Sequence, residues 1–227
     1  MARNPLLLMT RARPQSEAFV SDLVGHLGRT PDHLISPILD IHHKPVDIPD
    51  GVQAVLFTSA NGVQSVRDPQ PIRAICVGDT TAEAASDAGF SAISAGGDAE
   101  DLLMAALALL DPSKGRVIHV SGDIQAKDLS VAFQNAGLTY QNVVGYEAKP
   151  VALSPEALAA VAARSVVAPV FSPRSAKLLS GALNGLAGFD LQFVAISEAA
   201  ADALGRPCKI ASAPTRAQMV QSVGELL

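Results

Sequence analysis

Hydroxyl, amide and charged side chains gather at seven places where a short apolar run gives way to a helix-like pattern. These are Thr10-Arg11, Thr58-Ser59-Ala60-Asn61, Gly78-Asp79-Thr80-Thr81, Ser121-Gly122-Asp123, Ser172-Pro173-Arg174-Ser175, Ser197-Glu198 and Pro214-Thr215-Arg216. A turn of this kind, at the carboxyl end of a parallel strand, presents free backbone N–H groups and the positive end of a helix dipole. That chemistry suits carboxylates. Ser, Thr and Asp are also ordinary N-caps, so capping accounts for any single cluster. Seven together point to a ligand with many anionic groups. The candidate binding residues are Thr10, Arg11, Thr58, Ser59, Asn61, Thr81, Ser172, Arg174, Ser175 and Ser197.

Other chemistries lack their residues. His42 and His43 are adjacent, so in a strand they face opposite ways and cannot share an ion; His119 has no ligand partner at metal-site spacing and reads as a packed histidine. No metal site is expected. The glycine-rich nucleotide fingerprints and the serine-nucleophile elbow are absent, and nothing resembles a nucleophile paired with a base. Cys76 and Cys208 sit in apolar stretches as two thiols suited to a reducing compartment. A net charge of −5 without a Lys/Arg cluster, and 4% aromatics with no Trp, argue against nucleic-acid binding. The apolar run near the N-terminus is too short for a signal peptide, and no run approaches a bilayer span. The expectation is a cytoplasmic protein with no membrane contact.

The elements that must position these clusters follow from periodicity. Apolar runs without alternation, as in strands buried on both faces, predict strands at 6–9, 54–57, 74–77, 92–94, 116–120, 167–171, 193–196 and 209–211. Helical patterns predict helices at 15–27, 61–67, 81–88, 98–110, 126–136, 175–183, 198–204 and 217–226. This alternation is that of an α/β protein.

An internal repeat sharpens the picture. AVLFTSANGVQSV (54–66) is similar to APVFSPRSAKLL (168–179), AICVGDTTAEAASDAG (74–89) to FVAISEAAADALG (193–205), and SAISAGGDAEDLLMAAL (91–107) to CKIASAPTRAQMVQSV (208–223). A fourth unit, at 115–137, has its partner at the opposite end of the chain, at 4–28. The order is circular. If each domain needs all four units, residues 1–36 and 150–227 build one discontinuous α/β domain, and residues 45–142 form a second inserted in it. Segments 37–44 and 143–149, each leading into Lys-Pro-Val, would be the strands of a two-stranded β hinge. Each domain would hold a parallel sheet flanked by helices.

The segments LLLMTRARPQSEAF, VLFTSANGVQSV, ICVGDTTAEA, GGDAEDLL, HVSGDIQAKDL, VVGYEAKP and VFSPRSAKLL resemble, in that order, those of the uroporphyrinogen-III synthase family. The resemblance spans essentially the whole chain and implies two α/β domains joined by a two-stranded ladder. It also implies a cofactor-free lyase of haem biosynthesis acting on hydroxymethylbilane, a linear, carboxylate-rich tetrapyrrole. Loss of the terminal hydroxyl gives an azafulvene. Ring D attacks through its substituted carbon, and a spiro intermediate reopens and recloses with that ring inverted. Hydroxymethylbilane synthase, which makes the substrate, would be a transient partner, and the protein is expected to be a monomer. Tyr146 in VVGYEAKP matches the family's hinge tyrosine, implicated as the general acid; read alone, it is equally a strand aromatic packing at a domain boundary. Four positions depart from the family pattern: Ala12 in place of Pro, Ser197 and Ala200 in place of Gly and Thr, and Lys127 where Arg is frequent. The competing expectation is a non-catalytic two-domain small-molecule binding protein.

Overall fold

The computed structural model describes residues 4–125, 127–186 and 190–227. The chain opens with β1 (Leu6–Met9), α1 (Arg13–Leu27), β2 (His33–Ile35) and β3 (Leu39–His43). It continues with β4 (Val52–Phe57), α2 (Ala60–Gln64), β5 (Arg73–Cys76), α3 (Asp79–Asp87), β6 (Ser91–Ser94) and α4 (Ala99–Leu109). Next come β7 (Arg116–Gly122), α5 (Ser130–Asn135), β8 (Tyr140–Pro150), α6 (Pro155–Ala163), β9 (Val166–Val170) and α7 (Pro173–Ala182). The last are β10 (Leu191–Ala195), α8 (Glu198–Leu204), β11 (Cys208–Ile210) and α9 (Arg216–Gly224).

Two compact units result: residues 1–40 with 149–227, and residues 41–148. The first holds a five-stranded sheet in the order β11-β10-β9-β1-β2, every neighbouring pair parallel. The sheet of the second runs β3-β8-β7-β4-β5-β6, and its pairs from β8 to β6 are parallel. The four repeated units hold equivalent places: β1, β9, β10 and β11 in one sheet correspond to β7, β4, β5 and β6 in the other. The chain passes from one unit to the other through β3 and returns through β8, and these two strands are neighbours. Lys44 N donates to Gly145 O at 2.7 Å and Val151 N to Ile38 O at 3.0 Å, the spacing of an antiparallel pair.

Alternate strand residues serve opposite faces, as the period of two requires. In the first unit Leu6, Leu8, Ala168 and Phe193 pack with Ala157 and Val161 of α6 and Leu179 of α7. Leu7, Met9, Val167 and Val194 turn the other way, onto Phe19 and Leu23 of α1 and Met219 of α9. In the second unit Val55, Phe57, Cys76 and Ile118 meet Val63 of α2 and Ala85 of α3, while Leu56, Ile75 and Val117 meet Leu102 of α4 and Phe133 of α5. Apolar burial on both sides explains the unbroken apolar runs. It contributes roughly 1.5–3 kcal/mol for each fully buried Leu, Ile or Phe.

Three expectations need correction. Helix α6 falls where none is expected, although Ser154 accepts from Ala157 N at 3.2 Å and Pro155 starts the first turn. Its PEALAAVAA sequence is mostly alanine, which dulls the 3.6-residue apolar signal. Strand β2 has no counterpart among the expected strands; it is a three-residue edge strand beginning with an exposed His33. Helix α5 starts at Ser130 and not at 126: Asp128 accepts from Ser130 N at 2.8 Å, which ties the preceding residues into a turn. Ala126 itself lies outside the described residues.

Candidate active site

Each sheet has one place where the connections leave in opposite directions, and beyond the carboxyl ends of the strands there lies a natural ligand crevice. In the first unit this place lies between β1 and β9, and in the second between β7 and β4. The candidate residues divide between these two edges.

In the second unit β4 delivers Thr58 and then Ser59, the N-cap of α2. Ser59 Oγ accepts from Asn61 N at 3.2 Å, and Asn61 O accepts from Ser65 Oγ at 2.8 Å. Thr81 is buried in the first turn of α3, its N donating to Gly78 O at 3.1 Å. The Ser59 oxygen is therefore engaged as a helix cap, and backbone N–H groups are the chief donors left for a ligand, with the Ser59 O–H beside them. Ser59→Ala is accordingly expected to lower kcat/KM by no more than about 1 kcal/mol. Steady-state kinetics check this, and a loss of three orders of magnitude would mean that the hydroxyl itself does chemistry.

Tyr146 reaches the same edge through an irregularity. The register between β7 and β8 runs Val120↔Val143 and Ser121↔Val144, and then jumps to Gly122↔Tyr146. The extra residue, Gly145, is a β-bulge, a device that re-aims the side chain beside it. Asp123 N donates to Tyr146 O at 3.0 Å and fixes the shifted register. The Tyr146 ring lies against the Cα of Gly122, where an added Cβ would stand 2.8–3.1 Å from its Cε2, Cζ and Oη. His43 flanks the ring at 6.4 Å between centroids.

Thr58, His119, Gly122, Lys127 and Tyr146 border one cavity of about 290 Å³. Lys127 pairs loosely with Glu100 at 3.4 Å, both side chains exposed, so its ammonium is little committed. His119 is buried and hydrogen-bonds through Nδ1 with the Tyr140 hydroxyl at 2.8 Å. Desolvation pushes its pKa down to about 4 and that of Tyr140 up to about 12, the latter aided by the charge of Asp128. Both are neutral at pH 7. The cavity wall thus holds a phenol, a threonine hydroxyl, a neutral imidazole and one ammonium. That set donates hydrogen bonds and offers no strong nucleophile.

The edge of the first unit is more cationic. Thr10 is buried and its carbonyl accepts from Ile38 N at 3.1 Å. Arg11 stacks on Phe171, its Cζ 4.5 Å from the ring centroid. Burial, and secondarily the charge of Arg216, lower the pKa of Arg11, the mark of a desolvated cation suited to an anion. Ser172 caps α7 and accepts from Ser175 N at 3.1 Å, while Ser175 Oγ donates to Ser172 O at 3.0 Å. Arg174 is the second residue of that helix. Ser197 caps α8, accepting from Ala200 N at 3.3 Å.

Sequence reasoning singled out neither Tyr140 nor Phe171; it placed Gly122 in one of the seven turns without a role and read His119 as packed, as its burial agrees. Only the Gly-Tyr step at 145–146 carries a local signal, that of a bulge. Among the described residues no group of three His, Cys, Asp or Glu side chains is placed to hold a metal, and no helix is long and apolar enough to cross a membrane.

Comparison with known proteins bears on the fold and the family. Uroporphyrinogen-III synthetase from Helicobacter pylori superposes with a TM-score of 0.69 at 19% identity, covering 99% of this chain and 100% of that one, which establishes a common fold. A mutant uroporphyrinogen III synthase from Thermus thermophilus aligns over 98% of both chains at 18% identity, with a TM-score of 0.49 that carries no weight by itself. No curated protein matches in sequence. The model of the family HEM4, uroporphyrinogen-III synthase HemD, matches residues 26–221 and so takes in nearly every strand and helix described above. The chain therefore belongs to the uroporphyrinogen-III synthase HemD family.

Proposed function

We propose that the cavity bordered by Thr58, Gly122 and Tyr146 is where this lyase of haem biosynthesis releases the terminal hydroxyl of hydroxymethylbilane. The observation that carries the reading is the convergence of Tyr146 and Thr58 on one cavity at the point where the strand order of the sheet reverses. The reaction needs little more than this wall supplies. The lone pair of the terminal pyrrole nitrogen expels the hydroxyl, which leaves as water once a donor gives it a proton. The electrophilic carbon left behind is captured by the substituted carbon of ring D. Tyr146 supplies the proton and takes one back as the pyrrole N–H is lost to give the neutral azafulvene; a positioned acid of this kind contributes about 10²–10⁴-fold. Hydroxymethylbilane also cyclises spontaneously without inversion, so the further task is to hold one folded conformer, which costs no nucleophile and no redox chemistry. Backbone N–H groups at the capped turn of Ser59, with Thr81 and Lys127, supply carboxylate donors. The protein acts in the cytoplasm as a monomer and takes its unstable substrate from hydroxymethylbilane synthase.

The test is the isomer of the product. With hydroxymethylbilane and no added metal or nucleotide, the protein should yield uroporphyrinogen III well above the spontaneous type I isomer. Type I product alone, at the rate seen without protein, contradicts the reading; if binding were retained, a non-catalytic binding protein would be left.

A further inference from the structure

The reading above leaves His119 idle, although a polar side chain with 1% exposure in the middle of a sheet is costly to keep. Its position in the register is informative. His119 lies opposite Leu56 on β4 and Asn142 on β8. Thr58 is two residues beyond Leu56 and Tyr140 two residues before Asn142, so all three side chains stand on one face of the sheet. They form a diagonal: the Tyr140 hydroxyl is 2.8 Å from Nδ1 of His119, and Nε2 is 3.5 Å from Oγ1 of Thr58, the long limit of a hydrogen bond. Phe133 stacks on the Tyr140 ring at 4.9 Å with 6° between planes and holds the outer end still. The inner end opens on the cavity that Thr58, His119 and Tyr146 border.

In a neutral imidazole one nitrogen donates and the other accepts, and the partners decide which. A phenol is a better donor than acceptor, which favours Tyr140 donating to Nδ1 with the imidazole proton on Nε2. The Thr58 oxygen, 3.5 Å away, stands in position to accept that proton. A Thr58 hydroxyl that accepts from His119 keeps its own proton for another acceptor, and the cavity it borders is open to it. Both ring groups stay uncharged at neutral pH, which keeps this polarity fixed.

We propose that His119 and Tyr140 are positioning residues that hold the Thr58 hydroxyl as a hydrogen-bond donor to the substrate's departing hydroxyl, beside the donor Tyr146. No proton is transferred along the chain; the donated hydrogen bond stabilises negative charge as the C–O bond lengthens. The inference rests on the functional reading above and adds to it His119 and Tyr140, acting with Thr58 as one unit.

Two measurements test it. In uniformly ¹⁵N-labelled wild-type protein, long-range ¹H–¹⁵N correlation should show His119 as the Nε2–H tautomer, with its signals assigned through His119→Gln. Tyr140→Phe keeps the stacking ring and removes the donor, and should shift the ring toward a mixture of tautomers. Its kcat should fall roughly three- to tenfold with KM within about twofold. Thr58→Val should lose a similar factor, and the Tyr140→Phe/Thr58→Val pair should lose no more than Thr58→Val alone, because both act through one hydroxyl. An Nδ1–H tautomer or an imidazolium in the wild type overturns the inference, as do fully additive losses in the double variant. Wild-type protein that makes only type I product defeats the functional reading and the role of Thr58 with it; type III product together with an unchanged kcat in Tyr140→Phe defeats the relay alone.

Discussion

Gly122→Ala is expected to lower kcat by about 100-fold while leaving the fold intact, because a displacement near 1 Å of a reacting group is enough for such a loss. The added methyl would stand 2.8 Å from Cε2, 2.9 Å from Cζ and 3.1 Å from Oη of Tyr146, closer than non-bonded atoms tolerate. Gly122 is not among the glycines with positive φ, so alanine carries no backbone penalty there. The half-buried Tyr146 ring is the part free to give way, and giving way carries the phenol out of its place in the cavity. Conformer selection weakens less than acid assistance, so the remaining product should still contain type III isomer. Stopped-flow kinetics, with thermal melting as control, check this; a wild-type kcat would show that the place of the Tyr146 ring does not matter.

Tyr146→Phe isolates the donor from the ring. Phenylalanine keeps the contact with Gly122 and the approach to His43, and loses only the hydroxyl. We expect kcat to fall tenfold or more, at least about 1.4 kcal/mol, with thermal stability nearly unchanged. Activity should not vanish, because Thr58 and the shape of the cavity remain. Gly122→Ala is expected to be worse than Tyr146→Phe: the displaced ring both removes the donor and occupies space the substrate needs. If Tyr146→Phe turns over at the wild-type rate, Tyr146 is a packing residue and the cavity wall works through other groups.

The parallel-sheet α/β fold was legible because strands buried on both faces leave unbroken apolar runs: Leu7 and Leu8 point to opposite faces and are both fully buried. The repeat was legible for a related reason, since equivalent places in two sheets demand equivalent patterns. What escaped was local signal too weak to read, as in alanine-rich α6, or too short, as in β2. The capped turns were visible as sequence, and the structure confirms Ser59, Ser172 and Ser197 as N-caps.

Side-chain meetings across the sheet were not legible at all. The burial of His119 follows from its apolar neighbours, but its partners Thr58 and Tyr140 are 61 and 21 residues away and are chosen by register alone. The same holds for Gly122 and Tyr146. Their contact depends on one extra residue in β8, and a regular ladder would have put Gly145 opposite Gly122 and turned Tyr146 away.

If the substrate's reacting end lies against Tyr146, the chain suits a direct test, because it contains only two tyrosines. With ¹³Cζ-labelled tyrosine the protein should give two resonances, assigned by the loss of one in Tyr140→Phe. Titration with a hydroxymethylbilane analogue lacking the terminal hydroxyl, or with uroporphyrinogen III under reducing conditions, should move the Tyr146 resonance saturably, at the same concentrations that inhibit turnover. Inhibition that saturates while the Tyr146 resonance stays in place would mean that the substrate's reacting end binds elsewhere.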